Sequence, residues 1–131
     1  MSDSTITGAC LCRATTFEIT GDLSPGTLCH CGQCRRQTSH VYSSTHIPQA
    51  SLRLTRDDRL AWYQASPMAR RGFCSACGSV LFWDPFDEDR ISVSLGALDA
   101  PHPGRVVKHI FTADTGGYYP IDDSLERADG D

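Results

Sequence analysis

Short alternations of apolar and polar residues, broken every few positions by Gly, Pro or Asp, run along this chain from end to end. Residues 14–20, Ala-Thr-Thr-Phe-Glu-Ile-Thr, are β-branched and roughly alternating, and Gly21-Asp22 and Pro25-Gly26 follow as turn signals, so the pattern predicts a first strand there. The same reading predicts strands over 27–31, 40–47, 51–55, 60–64, 71–74, 79–83 and 90–95, with a further one over 106–112. Punctuation by Asp57-Asp58, Ser66-Pro67, Asp84-Pro85, Pro101-His102-Pro103-Gly104 and Gly116-Gly117 recurs too often for long helices. Only residues 32–38 are suited to a helical turn. The polar end, residues 126–131, is expected to fray. The fold class is therefore mainly β, with no internal repeat or linker.

Composition narrows the class. At 131 residues the chain suits one domain able to bury a core. Hydrophobic and charged contents of 40% and 21% are those of an ordinary soluble protein, and no apolar run approaches the roughly 20 residues of a membrane span. A net charge of −4 argues against nucleic acid as a partner, because displacing counterions from phosphate needs a basic face. Met1 to Ala9 are polar, without the basic start or apolar run of a secretory leader, and a reduced, cytoplasmic location is expected.

The chemistry lies in seven cysteines in three tight groups: Cys10 and Cys12, then Cys29, Cys31 and Cys34, then Cys74 and Cys77. An odd number cannot complete a disulfide framework within one chain, and C-x-x-C turns offer both sulfurs to one metal ion. Structural zinc takes four ligands, whereas catalytic zinc takes three and keeps one exchangeable position. Cys29, Cys31 and Cys34 are close enough in sequence to form a tripod by themselves, which leaves Cys10, Cys12, Cys74 and Cys77 as a closed structural set. Placed on the predicted elements, Cys10 and Cys12 start the first strand, Cys29 and Cys31 lie on the second, Cys34 follows on a turn, and Cys74 and Cys77 span a hairpin-like turn closed by Gly78.

Two zinc ions per chain are expected, the second with an open position. Three thiolates leave zinc with a formal charge of −1, which suits holding a sulfur nucleophile deprotonated and electron-rich. The competing arrangement closes the tripod with His30, His40, His46, His109 or an aspartate; His30, between two ligands on a strand, should point away. Arg35-Arg36 and Arg70-Arg71 either bind carboxylates of a ligand or serve, as favoured here, as solvated charge offsetting anionic zinc-thiolate centres. His109 reads as a hydrogen-bonded strand histidine ahead of a general base. Trp62, Phe73, Phe82, Trp83 and Phe111 read as core aromatics.

Gly8-Ala9-Cys10-Leu11-Cys12, Cys29-His30-Cys31-Gly32-Gln33-Cys34-Arg35-Arg36, Gly72-Phe73-Cys74-Ser75-Ala76-Cys77-Gly78-Ser79, Leu95-Gly96-Ala97-Leu98-Asp99 and His109-Ile110-Phe111 resemble, in order, the signatures of the glutathione-dependent formaldehyde-activating enzyme family, which shares its domain with centromere protein V. The resemblance runs from about residue 8 to about 122. It implies a single-domain β-tent of packed antiparallel sheets, a structural zinc on Cys10, Cys12, Cys74 and Cys77, and a second zinc on Cys29, Cys31 and Cys34 that serves catalysis. The implied activity is that of a carbon-sulfur lyase acting on glutathione, or a similar thiol, and formaldehyde or a similar small aldehyde. The alternatives are a thiol carrier without turnover and a two-zinc interaction module. This chain departs from many relatives at Thr38-Ser39-His40, in the polar run Tyr42-Ser43-Ser44-Thr45-His46, and at Tyr118-Tyr119, where tryptophan-tyrosine is common.

Overall fold

The computed structural model describes residues 5–131; residues 1–4, the start of the polar segment read above as no leader, lie outside them. The chain is built almost wholly of strands: β1 (Thr5–Ala9), β2 (Thr16–Thr20), β3 (Gly26–Cys29), β4 (Tyr42–Ile47), β5 (Leu52–Arg56), β6 (Leu60–Ser66), β7 (Ala69–Cys74), β8 (Val80–Pro85), β9 (Ile91–Ser94), β10 (Val106–Ile110) and β11 (Glu126–Arg127). The α-helix, α1, spans Gly32–Thr38, the segment expected from sequence. None of the described helices is long and apolar enough to cross a membrane.

Two sheets result, a three-stranded one ordered β1-β2-β5 and an eight-stranded one ordered β11-β10-β3-β4-β9-β8-β7-β6. The pairings are antiparallel except at one edge, where β10 runs parallel to both β3 and β11. Ile6, Phe17 and Ile19 of the small sheet meet Ile47, Leu81, Phe82, Ile91 and Val93 of the large one in the main core, with Phe17 and Phe82 edge to face at 5.2 Å between ring centroids. Burial of this apolar set is the main force holding the two sheets together.

Strand β9 explains the other side. All four of its residues are buried, yet Ile91 and Val93 point into the core while Ser92 and Ser94 point the opposite way. A period-two strand with serines on one face leaves that face of the sheet polar. Opposite them, β4 puts Tyr42, Ser44 and His46 on the same side, in register with Cys29, with Ser94 and with Ser92 respectively. The large sheet is thus apolar toward the small sheet and mixed on its outer face, where Ser44, His46 and Ser92 lie beside a second apolar cluster around Tyr42.

Three expectations need correction. The strand predicted over 14–20 begins at Thr16 and is preceded by β1, which pairs with it from Thr5↔Thr20 to Ala9↔Thr16. Cys10 and Cys12 therefore sit in the loop between two strands, not at the start of one. Cys31 has left the strand and caps α1, where its side chain accepts a bond from the Cys34 N–H, so Cys34 is a helical residue. The C-terminal residues do not fray: Ala128 N–H bonds to His109 O at 3.0 Å, Phe111 N–H to Gly130 O at 2.7 Å and Thr112 N–H to Ala128 O at 3.0 Å. A polar sequence gains a fixed place here because backbone groups make the pairing, with the Thr112 hydroxyl adding a bond to Ala128 O at 3.0 Å.

Candidate metal and substrate site

The four-cysteine cluster forms where two tight loops meet. In the first, Cys10 N–H bonds to Thr15 O at 3.0 Å, Arg13 N–H to Cys10 O at 3.1 Å, and Arg13 adopts φ 65°. In the second, Gly78 N–H bonds to Cys74 O at 2.7 Å, and Gly78 takes φ 82°, a left-handed conformation natural to glycine. The ligand sulfurs of Cys10, Cys12, Cys74 and Cys77 all lie within 4.8 Å of one another. Cys10 and Cys12 Sγ are 3.7 Å apart and Cys12 and Cys74 Sγ are 3.9 Å apart, far too long for disulfides. A tetrahedron with metal-sulfur bonds of about 2.3 Å has edges of about 3.8 Å, so the donor set fits a tetrahedral thiophilic metal ion. A hydrogen bond with the Ser79 hydroxyl at 3.2 Å pulls the Cys77 thiol down to about 5, ready for ligation.

The second cluster is local. Cys29 ends β3, Cys31 caps α1 and Cys34 lies one turn into it, and their sulfurs also fall within 4.8 Å of one another. Among the described residues no histidine, aspartate or glutamate joins this trio. Before any metal is added, the three sulfurs share charge unequally. Hydrogen bonds from Cys29 and Cys34, helped by the Cys34 backbone N–H and Arg71, pull the Cys31 thiol down to about 2. Cys29 is pushed up by the same sharing with Cys31 and Cys34 and by burial. Cys34 also ends raised, because the lowering by its hydrogen bond with Cys29 is outweighed by the Cys31 hydrogen bond and burial, which leaves Cys31 the most acidic sulfur of the trio.

Beside the trio opens a cavity of about 600 Å³ on the outer face of the large sheet. A cross-strand row, His46-Ser92-Trp83-Arg71, forms its floor, and Ser44 and Arg90 line it as well. Phe111, Asp114 and Asp131 close one side. The polar run from Tyr42 to His46, noted above as a departure from relatives, therefore supplies cavity lining through alternate residues. Trp83 and Phe111 line this cavity and pack, half-buried, against a second small core of Cys29, Cys34 and Tyr42, whereas Phe82 is buried in the main core and Trp62 packs against it.

The four arginines weighed from sequence part company. Arg71 is 6% exposed; its Nη1 and Nη2 donate to Cys34 Sγ at 3.7 and 3.6 Å, and Nη1 also donates to Gln37 Oε1 at 2.9 Å. It is therefore buried against a cysteine sulfur, and not the solvated charge expected from sequence. Arg70, pointing the other way from the strand, stacks 3.8 Å over Trp62 and pairs with Asp84 at 2.8 Å. Arg36 is exposed, and neither it nor Arg35 lines the cavity.

His30 points away from the cysteines. His109 Nε2 bonds to the Asp122 carbonyl at 3.0 Å, so that nitrogen carries the proton. With both rings neutral, its Nδ1, 2.9 Å from His30 Nε2, accepts, and His30 Nδ1 accepts from the Tyr119 hydroxyl. This chain of bonds ties β3 and β10 to the C-terminal segment. His109 is the hydrogen-bonded strand histidine expected. What sequence reading missed is Tyr119 and Asp122 as its partners, 89 and 13 positions away from His30 and His109.

With this geometry in hand, comparison with known proteins is informative. Residues 5–114 match the family described as glutathione-dependent formaldehyde-activating enzyme. The chain belongs to that family. A crystal structure of a Rhodobacter sphaeroides protein is similar to it with a TM-score of 0.64 and 24% sequence identity, over 76% of this chain and 96% of that one, which shows a shared fold. No curated protein matches the sequence. Both cysteine clusters lie inside the part matched to the family.

Proposed function

We propose that the protein is a zinc-dependent carbon-sulfur lyase-type enzyme, acting in the cytoplasm as a single domain on glutathione or a similar thiol and on formaldehyde or a similar small aldehyde. The observation that carries the reading is the three-cysteine cluster: no fourth ligand joins it among the described residues, and it opens on a cavity large enough for a peptide-sized thiol. Family membership supplies the chemical class.

In the forward direction a sulfur-carbon bond forms, the carbonyl π bond opens, and the thiol proton ends on the new hydroxyl oxygen; the reverse breaks the same sulfur-carbon bond. A zinc ion held by Cys29, Cys31 and Cys34 would supply Lewis acidity and stabilise a thiolate. The chain's own part is to hold, orient and desolvate. Cys29 and Cys34 are buried, so the cluster faces the cavity and not bulk water. Ser44, Ser92 and His46 offer hydrogen bonds along the cavity floor, Arg90, which pairs with Glu88 at 2.7 Å, offers its remaining N–H groups to a carboxylate, and Asp114 and Asp131 offer partners for an ammonium group. Cys10, Cys12, Cys74 and Cys77 are given a structural zinc.

NMR exchange spectroscopy on mixtures of formaldehyde and glutathione is the decisive assay. Protein should accelerate S-hydroxymethylglutathione formation above the spontaneous rate, and Cys31→Ala should abolish that acceleration. Glutathione binding without acceleration would replace the enzyme with a thiol carrier.

A further inference from the structure

The sequence places two arginines side by side at 70 and 71, and the strand sends them to opposite faces. Arg70 finds a carboxylate and an indole. Arg71 finds neither: no carboxylate pairs with it among the described residues, and its Nε is buried without a partner. A guanidinium cannot shed its proton, and a buried unpaired charge costs several kcal/mol. The group within reach that could carry a counter-charge is the Cys34 sulfur, which both terminal nitrogens face, while Nη1 also donates to Gln37 of the same helix. Cross-strand pairing with Trp83 fixes Arg71 from the sheet side.

We propose that Arg71 is the positioning residue of the three-cysteine centre, a buried cation that offsets its excess negative charge and fixes the direction of the Cys34 sulfur. The inference rests on the reading of that cluster as a metal site. Three thiolates and a divalent ion sum to −1, and Arg71 brings the buried assembly to zero. The same fork holds the Cys34 sulfur from the side of β7, so α1 cannot swing away from the sheet without breaking it. Both effects favour the loaded centre, and neither operates on Cys10, Cys12, Cys74 and Cys77, which Arg71 does not contact. Sequence alone could not single it out, because Arg70 and Arg71 differ only in which face of β7 they occupy.

The test uses the zinc-loaded full chain and competition with the chromophoric chelator 4-(2-pyridylazo)resorcinol, which reports both sites. Arg71→Gln should weaken the weaker site by about 10- to 100-fold. The tighter site should be unchanged. Arg71→Lys keeps the charge and should hold the weaker site within about fivefold of wild type, while the lost fork shifts the sulfur-to-metal charge-transfer band of the cobalt-substituted protein. Wild-type affinity in Arg71→Gln overturns the proposal. So does a tenfold or greater loss in Arg71→Lys, which remains readable should Arg71→Gln fail to fold. A wild-type chain that binds one zinc and not two overturns the reading of the cluster itself, a result distinct from either variant outcome.

Discussion

Single residues here are governed by what burial does to charge. His30 shows it most clearly. Burial, then the neighbouring His109 and His40, lowers its pKa, which favours the neutral ring, able to donate from one nitrogen and accept at the other. A histidine whose folded pKa lies below its unfolded value near 6.5 adds stability that is fully present above about pH 6.5 and is lost as pH falls through the folded value. Thermal melting of wild type and His30→Gln, followed from pH 7.5 to 5.5 at equal metal content, should show the variant less stable at the upper pH and shallower in its acid decline. Parallel declines would mean that His30 does not titrate in this way. The residue types were plain in the sequence: seven cysteines, and a histidine expected to point away from its cysteine neighbours. Its partners were not, because Tyr119 reaches it from a segment with no periodic pattern to place it.

Elements were legible where side chains alternate and illegible where backbone decides. Strands β2 to β10 fall within a few residues of the expected segments, and α1 coincides with its own, because Cys31 is a competent cap and Gly32 to Thr38 carries no β-branched run. Strand β1 escaped notice because five residues ending in Gly8-Ala9 give little pattern; its place is set by contact. A Cβ at Gly8 would meet the Phe17 ring and lie 2.9 Å from the Ala97 carbonyl, so the glycine lets β1 press against its neighbours. Gly8→Ala should therefore cost about 1–3 kcal/mol of unfolding free energy in denaturant titrations. Gly96→Ala, where a Cβ meets nothing within 4 Å, should cost much less. The C-terminal strap is the same lesson: hydrogen bonds from Phe111, Thr112 and Ala128 backbone groups order a segment whose composition reads as a loose end.

At the scale of the whole molecule, topology brings distant cysteines into one cluster. Cys12 and Cys74, 62 positions apart, meet in one cluster, so a metal there closes a long loop and joins the β1-β2 turn to the β7-β8 turn. The trio closes only a short one. Chelation should accordingly proceed in two steps: from a chain holding about two zinc ions, one leaves with the β-sheet circular dichroism intact and the second leaves only with unfolding. Cys74→Ala should lower the melting temperature by about 10 °C or more, corresponding to a loss on the order of 4 kcal/mol, while Cys34→Ala removes the first-released metal at far smaller cost. Loss of both metals in a single step, or equal destabilisation by the two variants, would contradict this division of roles. The sequence by itself determined the ligand arithmetic, four plus three, the β class and the family signatures, because spacing of cysteines and alternation along strands are local properties. Only the tertiary structure decided which polar residues share the cavity, that Arg71 and not Arg70 meets the cluster, and that the C-terminal segment is strapped to β10. Those depend on cross-strand register and on which face of a strand each side chain occupies, and register is fixed only when distant strands pack.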